Sequence, residues 1–104
     1  MKKIIGLYGC SNSGKTTTLN LLIELLGREG QEDNPVSIDD YRGKTIVITP
    51  GGDNKDVIKN NIEAFEKAEG DILVTATRTT GQTTGYLSNY AKENSVKITW
   101  IKKN

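Results

Sequence analysis

Eight residues near the start of this chain constrain its fold more than any other stretch. They run from Gly9 to Thr16 and read G-C-S-N-S-G-K-T. This order fits the pattern G-x-x-x-x-G-K-[S/T], in which glycines let the backbone curl until successive N–H groups point into one concavity. Such a concavity binds anions, and phosphate groups suit this pattern. The pattern requires a strand before the loop and a helix after it.

The flanking residues meet that requirement. Residues 3–8 form a short apolar run of strand type, and residues 17–26 are rich in leucine and other helix formers. The helix adds its dipole and its first N–H groups to the same anion site. The alternative is a Gly/Ser turn that precedes Lys-Thr by chance. We predict a phosphate site built from Gly9, Ser11, Asn12, Ser13, Gly14, Lys15, Thr16 and Thr17.

Two side chains of the pattern carry its chemistry. Lys15 is expected to reach the β- and γ-phosphates of a nucleotide, which makes it a candidate catalytic residue. Thr16 is expected to offer its hydroxyl to Mg²⁺. The loop therefore predicts a nucleoside triphosphate and Mg²⁺ as ligands.

The stretch GCSNSGKTTTLNLL also resembles the Walker A motif of the P-loop nucleoside triphosphatase superfamily. The resemblance implies a nucleoside triphosphate ligand, Mg²⁺ and a parallel α/β sheet. It covers only the first part of the chain and assigns no subfamily. Because the guanine-selecting sequence N-K-x-D is absent, we take ATP as the default nucleotide.

Composition limits the size, compartment and partners of the protein. A length of 104 residues predicts a single domain over residues 1–104. The net charge of +1 gives no bulk electrostatic signal for nucleic acid or for an anionic membrane. The single cysteine, Cys10, excludes an internal disulfide and predicts a reducing, cytoplasmic setting. Besides the nucleotide, the expected partners are a small-molecule acceptor or another protein.

Strands alternate with helices along the chain, which predicts a three-layer α/β/α fold around a mostly parallel five-stranded sheet. We expect strand order 2-3-1-4-5, with only strand 2 antiparallel. The first helix is expected on one face and the later two on the other. Its many leucines predict that the first helix is well buried. The predicted helices cover residues 14–26, about 54–68 and 84–94, and the later strands cover residues 36–39, 45–49, 71–77 and 96–101.

Ligands bind at the carboxyl ends of parallel strands, so three loops are expected to meet there: residues 9–14, 49–53 and 77–84. In many proteins that the motif resembles, a strand end carries an acid for Mg²⁺. Here strands 3 and 4 end in threonine, so Asp53 is the predicted metal ligand, with a helix cap as its alternative role. The other carboxylates considered for this place are Asp39 and Asp40 of the hairpin.

Arg78 follows the predicted fourth strand and is the second candidate catalytic residue. An arginine there would stabilise charge on a transferring phosphoryl group or hold a second anionic substrate. The neighbouring threonines either contact a ligand or cap the last helix, as Thr83 and Thr84 are placed to do.

Two functions follow from these residues. The first is Mg²⁺-dependent phosphoryl transfer or slow hydrolysis of ATP. The second is a non-catalytic nucleotide-binding module that regulates or assists a partner, which the absent acid and the absence of histidine favour. A structural or nucleic-acid-binding domain would leave the phosphate loop unexplained.

Overall fold

The computed structural model describes residues 2–9, 14–32, 34–52, 54–78 and 82–103. Helices and strands follow one another as the sequence predicts, and each boundary lies within two or three residues of its expected place. The elements are β1 (Lys3–Tyr8), α1 (Lys15–Leu25), β2 (Val36–Tyr41), β3 (Lys44–Thr49), α2 (Lys55–Lys67), β4 (Ile72–Thr77), α3 (Gln82–Glu93) and β5 (Lys97–Lys102).

The strands form one mixed sheet in the order β2-β3-β4-β1-β5. Only β2 runs antiparallel, paired with β3, and the other pairs are parallel. The predicted α/β class and the antiparallel hairpin are therefore confirmed. The predicted order 2-3-1-4-5 was wrong, because β4 lies between β3 and β1 while β5 lies at the edge beside β1.

One aromatic ring of β5 packs closely on β1. The ring of Trp100 in β5 covers Gly6 in β1, where a methyl group on the glycine would lie 2.6 Å from a ring carbon. The same ring meets Tyr8 edge to face, with centroids 6.1 Å apart. The predicted and the observed strand orders both satisfy the rule that crossovers between parallel strands are right-handed. That rule could not choose between them, and the packing of Trp100 on Gly6 favours the observed order.

The helices cover the two faces of the sheet as predicted. Helix α1 packs on one face through Leu19 and Ile23, against residues of β2, β3 and β4. Helices α2 and α3 pack on the other face around Phe65 and Leu87. The three layers place the starts of all three helices at the edge where the parallel strands end, because each helix follows a strand of that group.

Helix α1 is less buried than its many leucines predict. Leu21 is 55% exposed and Leu25 is 83% exposed, whereas Ile23 is fully buried. The helix lies alone on its face of the sheet, so only one side of its surface meets other residues. Within the described ranges, neither α1 nor any other helix is long and apolar enough to cross a membrane.

Two neighbouring positions of α1 test this orientation. We expect Ile23→Ala to lower the free energy of unfolding by about 2–5 kcal/mol, because it leaves a cavity in the core. Leu25→Ala changes a side chain that lies mostly in water, and its effect should stay within about 0.5 kcal/mol. Urea denaturation of both variants measures the difference. Equal losses of stability would contradict the orientation of α1.

Candidate functional site

The carboxyl ends of the parallel strands bring the predicted site residues to one edge of the sheet. Tyr8, the last residue of β1, is aligned with Thr77 of β4 on one side and with Lys102 of β5 on the other. Gly9 therefore leaves the sheet between the next residues of those strands, Arg78 and Lys103. The first residue of the predicted phosphate loop lies between two positively charged residues.

Lys15 joins the two ends of the loop. Its side chain is only 7% exposed, and its ammonium donates a hydrogen bond of 2.7 Å to the carbonyl of Gly9. Gly14 precedes it with φ of 87°, a left-handed conformation that glycine adopts without strain. Cys10 and the predicted ligands Ser11, Asn12 and Ser13 lie outside the described residues.

The amino terminus of α1 differs from that of α2 in its N-cap residue and in the charge of its first turn. In α2, the side chain of Asn54 accepts a hydrogen bond of 3.0 Å from the Val57 N–H, and Asp56 adds a negative charge to the first turn. In α1, Gly14 at the N-cap has no side chain with which to cap the first turn, and the first turn holds no acidic residue. The positive end of the α1 dipole favours an anion at this place, with Thr17 exposed beside it.

Thr16 connects α1 to the loop that follows β3. Its hydroxyl donates a hydrogen bond of 3.3 Å to the carbonyl of Pro50. This contact forms although β4 separates β1 from β3 in the sheet. The loop after β3 must therefore pass across the end of β4 to reach α1.

Gly52 makes that crossing feasible. A methyl group at this position would overlap the backbone carbonyl of Ala76, so only glycine lets the loop lie directly against the end of β4. The described parts of the three predicted loops are residues 9 and 14 of the first, 49–52 of the second, and 77–78 with 82–84 of the third. They lie at one edge of the sheet, as predicted.

Asn61 of α2 holds the same loop from the other face of the sheet. The side chain is 3% exposed, and its amide nitrogen donates to the Gly51 carbonyl at 2.8 Å and to the Thr75 hydroxyl at 3.3 Å. Sequence reasoning missed this residue. Its signal was a polar amide at position 61 within the buried stripe of Ile58 and Phe65.

One buried hydroxyl at the end of β4 has no hydrogen bond. Thr77 is fully buried, and among the residues that the structure describes, nothing accepts from or donates to its oxygen. A buried polar group without a partner carries an energetic cost, and such groups are few in native structures. This one lies beside the crossing loop.

Arg78 is fixed through its backbone. Its N–H donates to the Thr83 hydroxyl at 3.2 Å, and its carbonyl accepts from the Thr84 hydroxyl at 2.7 Å. These bonds tie the start of α3 to the end of β4, which supports the structural role of the two threonines. They also hold Arg78 level with Gly9, while Thr79 and Thr80 lie outside the described residues.

The carboxylates of the hairpin lie far from this site. Asp39 and Asp40 are exposed on β2, near the pair formed by Tyr41 and Lys44 at the start of β3. Because β2 runs antiparallel, it carries both acids to the edge opposite Gly9, and the suggestion that they approach Thr16 was wrong. Asp53, the predicted metal ligand, lies outside the described residues. Elsewhere in the described chain, no three His, Cys, Asp or Glu side chains form a metal cluster.

Lys103 is a site residue that the sequence did not reveal. Its N–H donates to the Tyr8 carbonyl at 2.7 Å, which continues the pairing of β1 and β5 by one residue. Its side chain extends over Gly14, where a methyl group would lie 3.6 Å from Cε and 4.0 Å from Nζ. The predicted strand order placed β5 away from β1 and therefore concealed this contact.

The chain matches no protein-family model, and neither curated proteins nor solved structures give a significant match. The resemblance to the Walker A motif thus stays an expectation.

Two glycine substitutions test the crossing loop. We expect Gly52→Ala to destabilise the fold by about 3 kcal/mol or more, because the added methyl displaces the Ala76 backbone. Gly85→Ala is the matched control, since Gly85 lies in α3 with open space around it and alanine favours the helix by about 0.5–1 kcal/mol. Thermal unfolding gives the sign of each change. A neutral Gly52→Ala would contradict the close approach.

A second pair tests the amide that holds the loop. Asn61→Leu leaves the Gly51 carbonyl and the Thr75 hydroxyl without their donor, and we expect a cost of about 1–3 kcal/mol. Asn60→Leu makes the same change at the adjacent exposed position of α2 and should cost less than about 0.5 kcal/mol. Urea denaturation compares the two variants, and similar values would refute the role of Asn61.

Proposed function

We propose that the protein binds a nucleoside triphosphate, ATP by default, together with Mg²⁺ through residues 9–16. We further propose that it catalyses phosphoryl transfer or slow hydrolysis of the nucleotide. The observation that carries the proposal is the bond between the buried Lys15 ammonium and the Gly9 carbonyl. That bond lies at the start of α1, where the positive end of the helix dipole favours an anion.

Lys15 supplies a positive charge that is already in position. A buried ammonium is costly unless it is hydrogen-bonded, and its bond to Gly9 offsets part of that cost. A phosphate that arrives at this turn gains the ammonium and the helix dipole together. Because these groups need little reorganisation, they are suited to stabilise charge that develops during phosphoryl transfer.

The residues present fit Mg²⁺ bound mainly through phosphates and water. This ion keeps several waters and commonly takes one or two protein ligands beside substrate phosphates. Thr16 would be such a ligand, because its hydroxyl lies at the start of α1 beside Lys15 and donates its proton to the Pro50 carbonyl, and a hydroxyl oxygen is a ligand type that Mg²⁺ takes. When bound, Mg²⁺ neutralises negative charge on the phosphates. Asp53 remains the proposed second ligand.

Arg78 is the proposed electrostatic partner of the reaction. The bonds from its backbone to Thr83 and Thr84 fix it at the end of β4, level with Gly9. A guanidinium can contact two phosphate oxygens at once and keeps its charge at any physiological pH. From this place it would stabilise the transferring group or hold an anionic acceptor.

The second candidate is a non-catalytic nucleotide-binding module that acts on a protein partner. It is favoured by Thr49 and Thr77, the last residues of β3 and β4, because neither strand ends in an acid. The distant position of Asp39 and Asp40 favours it further. For either function we propose a cytoplasmic setting, in keeping with the single cysteine.

Binding and turnover of Mg·ATP test the proposal. We expect Lys15→Ala to weaken ATP binding at least about 100-fold, which is the effect of losing a charge-assisted contact of roughly 3 kcal/mol. Lys67→Ala removes the same charge from the last turn of α2, at the opposite edge of the sheet, and should leave the affinity unchanged. Calorimetry measures binding, and phosphate release measures turnover.

The outcomes separate the candidates. Turnover by the wild type that Lys15→Ala abolishes supports the enzyme. Tight binding without turnover, with or without small acceptors, supports the non-catalytic module. A folded wild type that binds no nucleoside triphosphate overturns both.

A further inference from the structure

We propose that Lys103 is a second phosphate-binding cation, which contacts the phosphate groups of the nucleotide from the β5 side of the loop. The inference rests on the proposed function, because it assigns a further ligand to the same site. It depends on the contact between Lys103 and Gly14 and on the place of β5 beside β1.

The backbone of Lys103 is fixed at the edge of the site. Its N–H bond to the Tyr8 carbonyl measures 2.7 Å and directly follows the aligned pair of Tyr8 and Lys102. These hydrogen bonds pair β5 with β1, so Lys103 cannot move away from Gly9 unless the pairing at the end of β5 breaks. The position of Lys103 therefore depends on the sheet itself.

The direction of its side chain follows from the alternation along the strand. Trp100 packs on the face of the sheet that α2 and α3 cover, so Lys102 shares that face and Lys103 lies on the α1 face. There the stem of Lys103 runs over Gly14, with Cε and Nζ within 3.6 and 4.0 Å of a methyl group placed on the glycine. The ammonium thus reaches the amino terminus of α1.

Three cationic residues surround the loop as a result. The Lys15 ammonium contacts the Gly9 carbonyl. Arg78 follows β4 on one side of β1, and Lys103 follows β5 on the other side. Their positive charges add to the positive end of the α1 dipole and attract an anion to this turn. A polyphosphate carries several negative charges, so it can contact more than one of these cations at once. The arrangement suits a triphosphate better than a single phosphate ion.

The experiment compares two adjacent lysines in the full chain. Calorimetry would measure the affinities of Mg·ATP and of inorganic tripolyphosphate for the wild type, Lys103→Met and Lys102→Met. We expect Lys103→Met to weaken both ligands about fivefold to tenfold, as loss of one partly exposed charge-assisted contact would. Lys102→Met should stay within about twofold, since its side chain lies on the other face. Lys103→Arg should restore most of the affinity.

A readout beyond affinity separates contact with phosphate from a merely structural role. A contact between charges weakens as salt rises, so Lys103→Met should show a shallower dependence of tripolyphosphate affinity on ionic strength than the wild type. Circular dichroism confirms that each variant is folded. Affinity and salt dependence equal to those of the wild type would overturn the role of Lys103.

The failure of this inference and the failure of the proposed function give different results. If the wild type binds ATP, Lys15→Ala does not, and Lys103→Met matches the wild type, only the inference fails. If the folded wild type binds neither ATP nor tripolyphosphate, the proposed function fails and Lys103 loses its role with it.

Discussion

The pairing of β1 with a parallel strand on each side is the constraint on which the candidate site depends. It fixes Gly9 between the residues that follow β4 and β5, so Arg78 and Lys103 flank the loop by register alone. Parallel strands end together at one edge, and the helices that return from them start there. A single hydrogen-bond pattern thus collects side chains that are distant in sequence.

The loop after β3 adds a second constraint, which is steric. Gly52 lies against the Ala76 carbonyl, and Asn61 holds the Gly51 carbonyl from α2. These contacts carry Pro50 across the end of β4 to the hydroxyl of Thr16. The carbonyl of Pro50 thereby lies beside the hydroxyl of Thr16.

The spacing of apolar residues predicted those features that depend on residues close together in the chain. Ile58, Ile62 and Phe65 recur at helical spacing in α2, and all three are buried. A pattern of spacing could not reveal Asn61, because its burial depends on a carbonyl ten residues away in a loop. The exposure of Leu25 was equally hidden, since it depends on how many elements pack against α1.

By itself, the sequence determined the order of strands and helices, the antiparallel hairpin and the loop that begins at Gly9, because each depends on residues close together in the chain. Only the tertiary structure decided the order of strands in the sheet. That order follows contacts such as Trp100 on Gly6, which no short window of sequence contains. The position of β5 beside β1 also places Lys103 beside Gly14, so the tertiary structure decided which charge faces the loop from that side.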